Sequence, residues 1–155
     1  MKKIESFLIN HLNLYKGLYL SRKDCKDNVV ISTFDLRMTA PNHEPPIDTS
    51  ALHTIEHLFA TFIRSSSKSN DIVYFGPMGC RTGCYLVMFG DLLPSDVYDL
   101  VLSCCDFVLN FEGEIPGAKK EECGNYLEQN LPLAKYYIAK YKEELVTYKR
   151  FTYSN

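Results

Sequence analysis

His53, Glu56 and His57 lie within four residues of one another, and these residue types can share one piece of chemistry. On a helix, positions three and four apart stack on one face. Two imidazoles so placed can meet one metal ion, and the carboxylate beside them can move protons there. The order His-x-x-Glu-His is also the inverted form of the zinc-peptidase pattern. A third ligand could come from the Glu-, Gly- and Lys-rich stretch 110–124, where Cys123 stands; both thiolate and imidazole suit zinc or ferrous iron. A second reactive candidate is Cys80, in the turn Gly76–Gly83. Turn amides and an arginine nearby favour a thiolate, although a turn cysteine alone does not single itself out.

These side chains need a helix and a hairpin to hold them. Leu52, Ile55, Phe59, Phe62 and Ile63 recur at three- and four-residue spacing, so 50–64 is expected to be a helix, with Asp48, Thr49 and Ser50 as N-cap candidates. Residues 71–75 and 85–89 are apolar runs flanking a turn with three glycines and a proline, which predicts a hairpin presenting Cys80. From Val29 to Thr39 the pattern alternates. Val30, Phe34, Leu36 and Met38 take one face and Thr33, Asp35, Arg37 and Thr39 the other, as in a half-buried strand with Arg37 on its polar side. Residues 12–27 are irregular and charged, which suggests a loop or short strand, with Cys25 a loop residue. The loop 40–46 holds three prolines and leads to the His53 helix. Pro94 opens a helix to about Leu109, with Cys104 and Cys105 in its apolar pattern. Asn130 opens another, with Tyr137, Ile138, Tyr141 and Leu145 on one side. The order of elements predicts an α+β fold, helices packed on an antiparallel sheet, in one domain spanning 1–155.

Composition narrows the function. A chain of 155 residues with 46% hydrophobic and 23% charged residues is long enough for a substantial core and is not a disordered type. The net charge of −2 and the lack of a long basic run argue against nucleic acid and anionic membranes as partners. No apolar stretch approaches a membrane span. The amino-terminal run is short and broken by Glu5, Asn10 and His11, unlike a signal peptide, so a cytoplasmic location is expected and the six cysteines should be thiols.

Taken together, six runs resemble the S-ribosylhomocysteine lyases, the LuxS proteins. They are Ser6-Phe7 with His11, Thr33–Arg37, Pro41-Asn42, His53–Ala60, Gly76–Gly83 and Cys123–Tyr126, in the family's order and spanning nearly the whole chain. The resemblance implies that His53, His57 and Cys123 bind a divalent ion. Ferrous iron (Fe2+) is the usual one, and Zn2+ or Co2+ are possible substitutes. It implies that Cys80 and Glu56 are the acid/base pair, and that Ser6, His11 and Arg37 help hold the substrate. It also implies a homodimer with its active sites at the subunit interface. The implied reaction cleaves the thioether of S-ribosylhomocysteine, a product of the methionine cycle. It yields homocysteine and 4,5-dihydroxy-2,3-pentanedione, the autoinducer-2 precursor of quorum sensing.

Departures from the family pattern are local. Asn10 stands where many members have Asp, Leu127-Glu128-Gln129 follows Tyr126 where a histidine is frequent, and Met38 and Cys84 replace bulkier residues. Two other readings share the histidines. A peptidase of the inverted type would need an acidic third ligand and would give Cys80 and Cys123 no task. A non-catalytic metal site would be closed by a fourth protein ligand, with His43 or Cys84 as candidates.

Overall fold

A computed structural model describes residues 7–154. Eight segments follow in order: β1 (Gly17–Lys26), β2 (Val29–Arg37), α1 (Thr49–Arg64), a 3-10 turn (Ser69–Asp71), β3 (Ile72–Pro77), β4 (Gly83–Phe89), α2 (Pro94–Asn110) and α3 (Leu131–Tyr148). The four strands form one antiparallel sheet in the order β1-β2-β4-β3, and the three helices complete an α+β fold. No helix among the described residues is long and apolar enough to cross a membrane.

β1 departs from the expectation for residues 12–27. It is a ten-residue strand, and Cys25 lies in it, exposed, rather than in a loop. Its charged half, Arg22–Lys26, is solvated because β1 is an edge strand, so neither of its faces there writes an apolar alternation. The turn into β2 is made by Asp27 and Asn28, both at positive φ (47° and 68°), with Lys26 paired to Val29. Two such residues match the twist of the flanking strands.

One face of the sheet carries the core. Leu18, Phe34, Leu36, Leu86 and Met88 meet Ile55, Leu58 and Phe59 of α1, Val101 and Cys105 of α2, and Ile138 of α3. Cys104 and Cys105 are core residues, as their apolar surroundings suggested. α1 begins at Asp48, whose side chain accepts from the N–H groups of Ser50 and Ala51. Tyr141 is fully buried and its hydroxyl donates to the Gly17 carbonyl at 3.0 Å, tying α3 to the start of β1.

The opposite face was expected to be the polar, half-exposed side of β2. It is buried: Asp35, Arg37 and Thr39 are 1%, 3% and 3% exposed. The carboxy-terminal tail covers part of it. α3 ends at Lys149 in the left-handed region (φ 46°), and the chain then crosses to β1, where the Arg150 carbonyl accepts from Leu18 N–H at 3.0 Å. The ring of Tyr153 stacks on that of Tyr19 with centroids 4.6 Å apart. Alternation in sequence reports polarity correctly here, but a tail supplies the cover that solvent was expected to give.

Candidate active site

α1 sets His53 and His57 one turn apart, with ring centroids at 4.6 Å and planes nearly perpendicular. The loop between α2 and α3 brings Cys123 to them. One ligand atom from each of the three residues lies within 4.8 Å of the other two, and Cys123 Sγ is 3.4 Å from His53 Nε2. A tetrahedral ion with bonds of about 2.0–2.3 Å holds its ligands roughly 3.5 Å apart, so this contact already matches one.

Backbone carbonyls fix the imidazoles. His53 Nδ1 lies 2.9 Å from the Glu128 carbonyl and His57 Nδ1 lies 2.7 Å from that of Pro116. A carbonyl only accepts, so each Nδ1 carries a proton and Nε2 is the ring atom left to meet a cation. Gly117 makes the second contact possible. It sits at φ +74°, and a Cβ there would come 3.1 Å from His57 Nδ1. The Asn125 N–H points at Cys123 Sγ at 3.4 Å and fixes the direction of the sulfur. The loop is tied back to α1: Thr49 donates to Glu128 Oε1 at 2.8 Å, and Thr54 Oγ1 accepts from Asn130 N–H at 2.9 Å. The donor set, two imidazole nitrogens and a cysteine sulfur, fits a borderline divalent ion such as zinc, cobalt or ferrous iron.

Among the described residues this group has three members, and neither His43 nor Cys84 joins it. His43 Nε2 is engaged by the Leu12 carbonyl at 2.9 Å. Cys84 is buried in the core, where burial and the nearby Glu56 push its thiol well up. The third member is a cysteine, not the acid that the peptidase pattern requires. Glu56 lies between the two histidines, half-buried, with no hydrogen bond or ion pair among the described residues.

The Cys80 turn is built on the other face of the sheet. Gly83 pairs with Arg37 across β4 and β2, and a Cβ at Gly83 would sit 2.1 Å from the Leu36 carbonyl oxygen, so only glycine allows the strands to close here. Thr82 Oγ1 lies 2.6 Å from Arg37 Nη1 and 3.1 Å from Cys80 Sγ, and Nη1 itself is 3.9 Å from the sulfur. The guanidinium only donates, so the Thr82 hydroxyl accepts from it and spends its single proton on the sulfur. Partial burial opposes the Cys80 thiolate. The Thr82 hydroxyl and backbone N–H and the Arg37 charge outweigh that and hold the thiol below its ordinary value.

Asp35 grips the far side of Arg37, with Arg37 Nε donating to Oδ1 at 3.1 Å and Nη2 to Oδ2 at 2.6 Å. Burial works against the guanidinium charge, and Asp35 more than offsets it, so Arg37 stays above its usual range. The arginine that the turn itself suggests, Arg81, instead reaches the Ile47 carbonyl. The cation beside Cys80 comes from 43 residues earlier in the chain.

His11 joins Cys80 at the surface. Both line a cavity of about 320 Å³ with Pro41, Asn42 and Glu44, and a second of about 240 Å³ with Phe7, Arg37 and Tyr85. His11 Nδ1 donates to the Ile9 carbonyl at 2.8 Å. Asn10 Oδ1 accepts from Leu12 N–H at 3.1 Å, a turn contact an Asp would make equally well. Ser6, expected at the same site, lies outside the described residues.

Asp35, Thr82, Pro116 and Glu128 were not singled out from the sequence. Asp35 and Thr82 had one legible signal, their place in the same polar alternation and turn as Arg37 and Cys80. The other two act through backbone carbonyls, which any residue supplies.

Known proteins match this chain over nearly its full length. The S-ribosylhomocysteinase (LuxS) family matches residues 4–151, so Tyr153 falls beyond the matched span. A protein of Finegoldia magna named S-ribosylhomocysteine lyase is 55% identical over 141 residues, 91% of this chain and 90% of that protein. One of the same name from Borreliella burgdorferi is 52% identical over 146 residues, 94% and 93% of the two chains. Another from Clostridium beijerinckii is 48% identical over the whole of both chains. The chain belongs to the S-ribosylhomocysteinase (LuxS) family of carbon–sulfur lyases.

Proposed function

We propose that the protein is a metal-dependent S-ribosylhomocysteine lyase releasing homocysteine and 4,5-dihydroxy-2,3-pentanedione. The observation that carries this reading is the presence in one chain of two complementary parts. One is an open three-ligand group, His53, His57 and Cys123. The other is a surface thiol, Cys80, held below its ordinary value by Thr82 and Arg37.

The chemistry asks for both. Sulfur on C5 leaves by β-elimination only if a carbonyl at C3 makes the C4 proton acidic, whereas the sugar's carbonyl begins at C1. A divalent ion bound by His53, His57 and Cys123, ferrous iron by family resemblance, would supply Lewis acidity toward the oxygens on which negative charge develops. Cys80 and Glu56 between them take the C2 proton and return one at C1, then repeat the exchange from C3 to C2. Removal of the C4 proton then expels the homocysteine sulfur, which takes up a proton to become the free thiol. A thiol held below its ordinary value by Thr82 and Arg37 suits both directions of transfer. Arg37 is committed to Asp35 and Thr82, so its task is to hold the Cys80 thiolate. His11, which lines both cavities with Cys80, would bind a substrate hydroxyl or carboxylate.

The working unit in this reading is a cytoplasmic homodimer with active sites at the subunit interface, and its dione is the autoinducer-2 precursor. Phe7, Leu8 and Leu12 are 70%, 66% and 65% exposed, and they flank His11 beside the Cys80 cavities. A second copy would cover them. The test is release of free thiol from S-ribosylhomocysteine by protein loaded anaerobically with ferrous iron or cobalt. Chelator-sensitive release supports the lyase. Stoichiometric metal binding without thiol under any loading would leave only a metal-binding protein.

A further inference from the structure

Tyr153 sits at the end of a chain of contacts that reaches Cys80. Its hydroxyl is 3.0 Å from Asp35 Oδ2. Burial first, and then the Asp35 charge, keep the phenol neutral far above its ordinary range, so it donates to the carboxylate. Asp35 Oδ2 also takes Arg37 Nη2, and Oδ1 takes Arg37 Nε. Only Nη1 remains, aimed at Thr82 Oγ1 and the Cys80 sulfur. The carboxylate and guanidinium meet as two planar forks, so the rotation of one sets the plane of the other.

We propose that Tyr153 is a positioning residue for Cys80: by holding the Asp35 carboxylate, its hydroxyl fixes the Arg37 guanidinium with Nη1 toward Thr82 and the sulfur. The inference rests on Cys80 being the acid/base group proposed above. The tail is built to deliver this hydroxyl. Phe151 packs edge-on against Tyr98 (5.4 Å), Arg150 Nη1 donates to Glu144 Oε2 at 2.7 Å, and the Tyr19 ring backs that of Tyr153. A tail that only covered the sheet would need the ring and not the hydroxyl.

Other groups face the same centre. His11 and Glu44 look onto Cys80 across the cavities, Arg81 shares its turn, and Tyr85 lines it from β4. Tyr19 adjoins Asp35 in the β1–β2 register. All of these stay in place in Tyr153→Phe, so a change in Cys80 titration in that variant reports the lost hydroxyl.

The experiment follows iodoacetamide alkylation of Cys80 against pH, read on its own peptide by mass spectrometry, in metal-loaded wild type, Tyr153→Phe and a chain ending at Thr152. The expected result is a midpoint higher by about half a pH unit in both variants. The kcat for thiol release should fall several-fold at unchanged KM, with the Tm of Tyr153→Phe close to wild type. A midpoint that stays at the wild-type value in Tyr153→Phe overturns the proposal and leaves the tail a structural cover, whatever its Tm. Failure of the wild type to release thiol would count against the lyase reading, whereas the alkylation midpoint would still decide the role of Tyr153.

Discussion

Replacing Thr82 with Val keeps the shape of the side chain and removes the one hydroxyl that joins Arg37 to Cys80. That hydroxyl accepts from Nη1 at 2.6 Å and donates to the sulfur at 3.1 Å. A hydrogen bond to a charged group contributes about 1.5–3 kcal/mol. The sulfur is open to solvent on one side, so the lower end applies, and about 1.4 kcal/mol corresponds to roughly one pKa unit. The Cys80 midpoint for alkylation should therefore rise by about one pH unit. A more basic thiolate is also a better nucleophile, with a Brønsted slope of about 0.4–0.5, so the rate at neutral pH should fall only about threefold. Arg37 Nη1 would lose a buried acceptor, costing about 1–3 kcal/mol of stability. Thr82→Ser keeps the hydroxyl and should preserve the midpoint. The reasoning is refuted if Thr82→Val folds with an unmoved midpoint, or if Thr82→Ser shifts it as far.

Gly117→Ala puts a methyl 3.1 Å from His57 Nδ1 on a left-handed backbone, so the Pro116 carbonyl should lose its hold on that ring. Cobalt affinity, followed by its absorption spectrum, should drop about 10–100-fold. Cys80 is held below 9.0 in the folded chain, so between its folded value and 9.0 the unfolded chain binds more protons. That contribution to stability is full above the unfolded value and is lost as pH falls through the folded one. Urea unfolding of wild type should therefore gain on Cys80→Ser as pH rises from neutral toward 9; parallel pH curves would contradict it. Tyr141→Phe removes the hydrogen bond to the Gly17 carbonyl from a fully buried site. It should cost about 1 kcal/mol, seen as a lower urea midpoint at unchanged slope.

Much of this site was legible in the chain because its parts are local. His53, Glu56 and His57 need only a helix, and the apolar stripe beside them predicts it within a residue of its observed start. The hairpin around Cys80 follows from glycines and a proline between two apolar runs. What the chain did not display depends on pairing at a distance. β1 is an edge strand whose solvated half has no alternation, so its ten residues read as irregular. Asp35 and Arg37 alternate like surface residues, yet both are buried, and the Tyr153 hydroxyl that meets Asp35 comes from 118 residues away. Arg81, the cation nearest to Cys80 in sequence, turns to Ile47, while Arg37 arrives from the neighbouring strand because β2 pairs with β4. A motif names the reactive atom. The register of the sheet decides which charge stands beside it.

The most direct test of the central claim is thiol release from S-ribosylhomocysteine by Cys80→Ala, with metal content measured on the same sample. His53, His57 and Cys123 are untouched by that change and Cys80 lies at the surface, so the variant should fold and carry its full complement of metal. The account predicts that it releases no thiol. Release near the wild-type rate at equal metal content would contradict it.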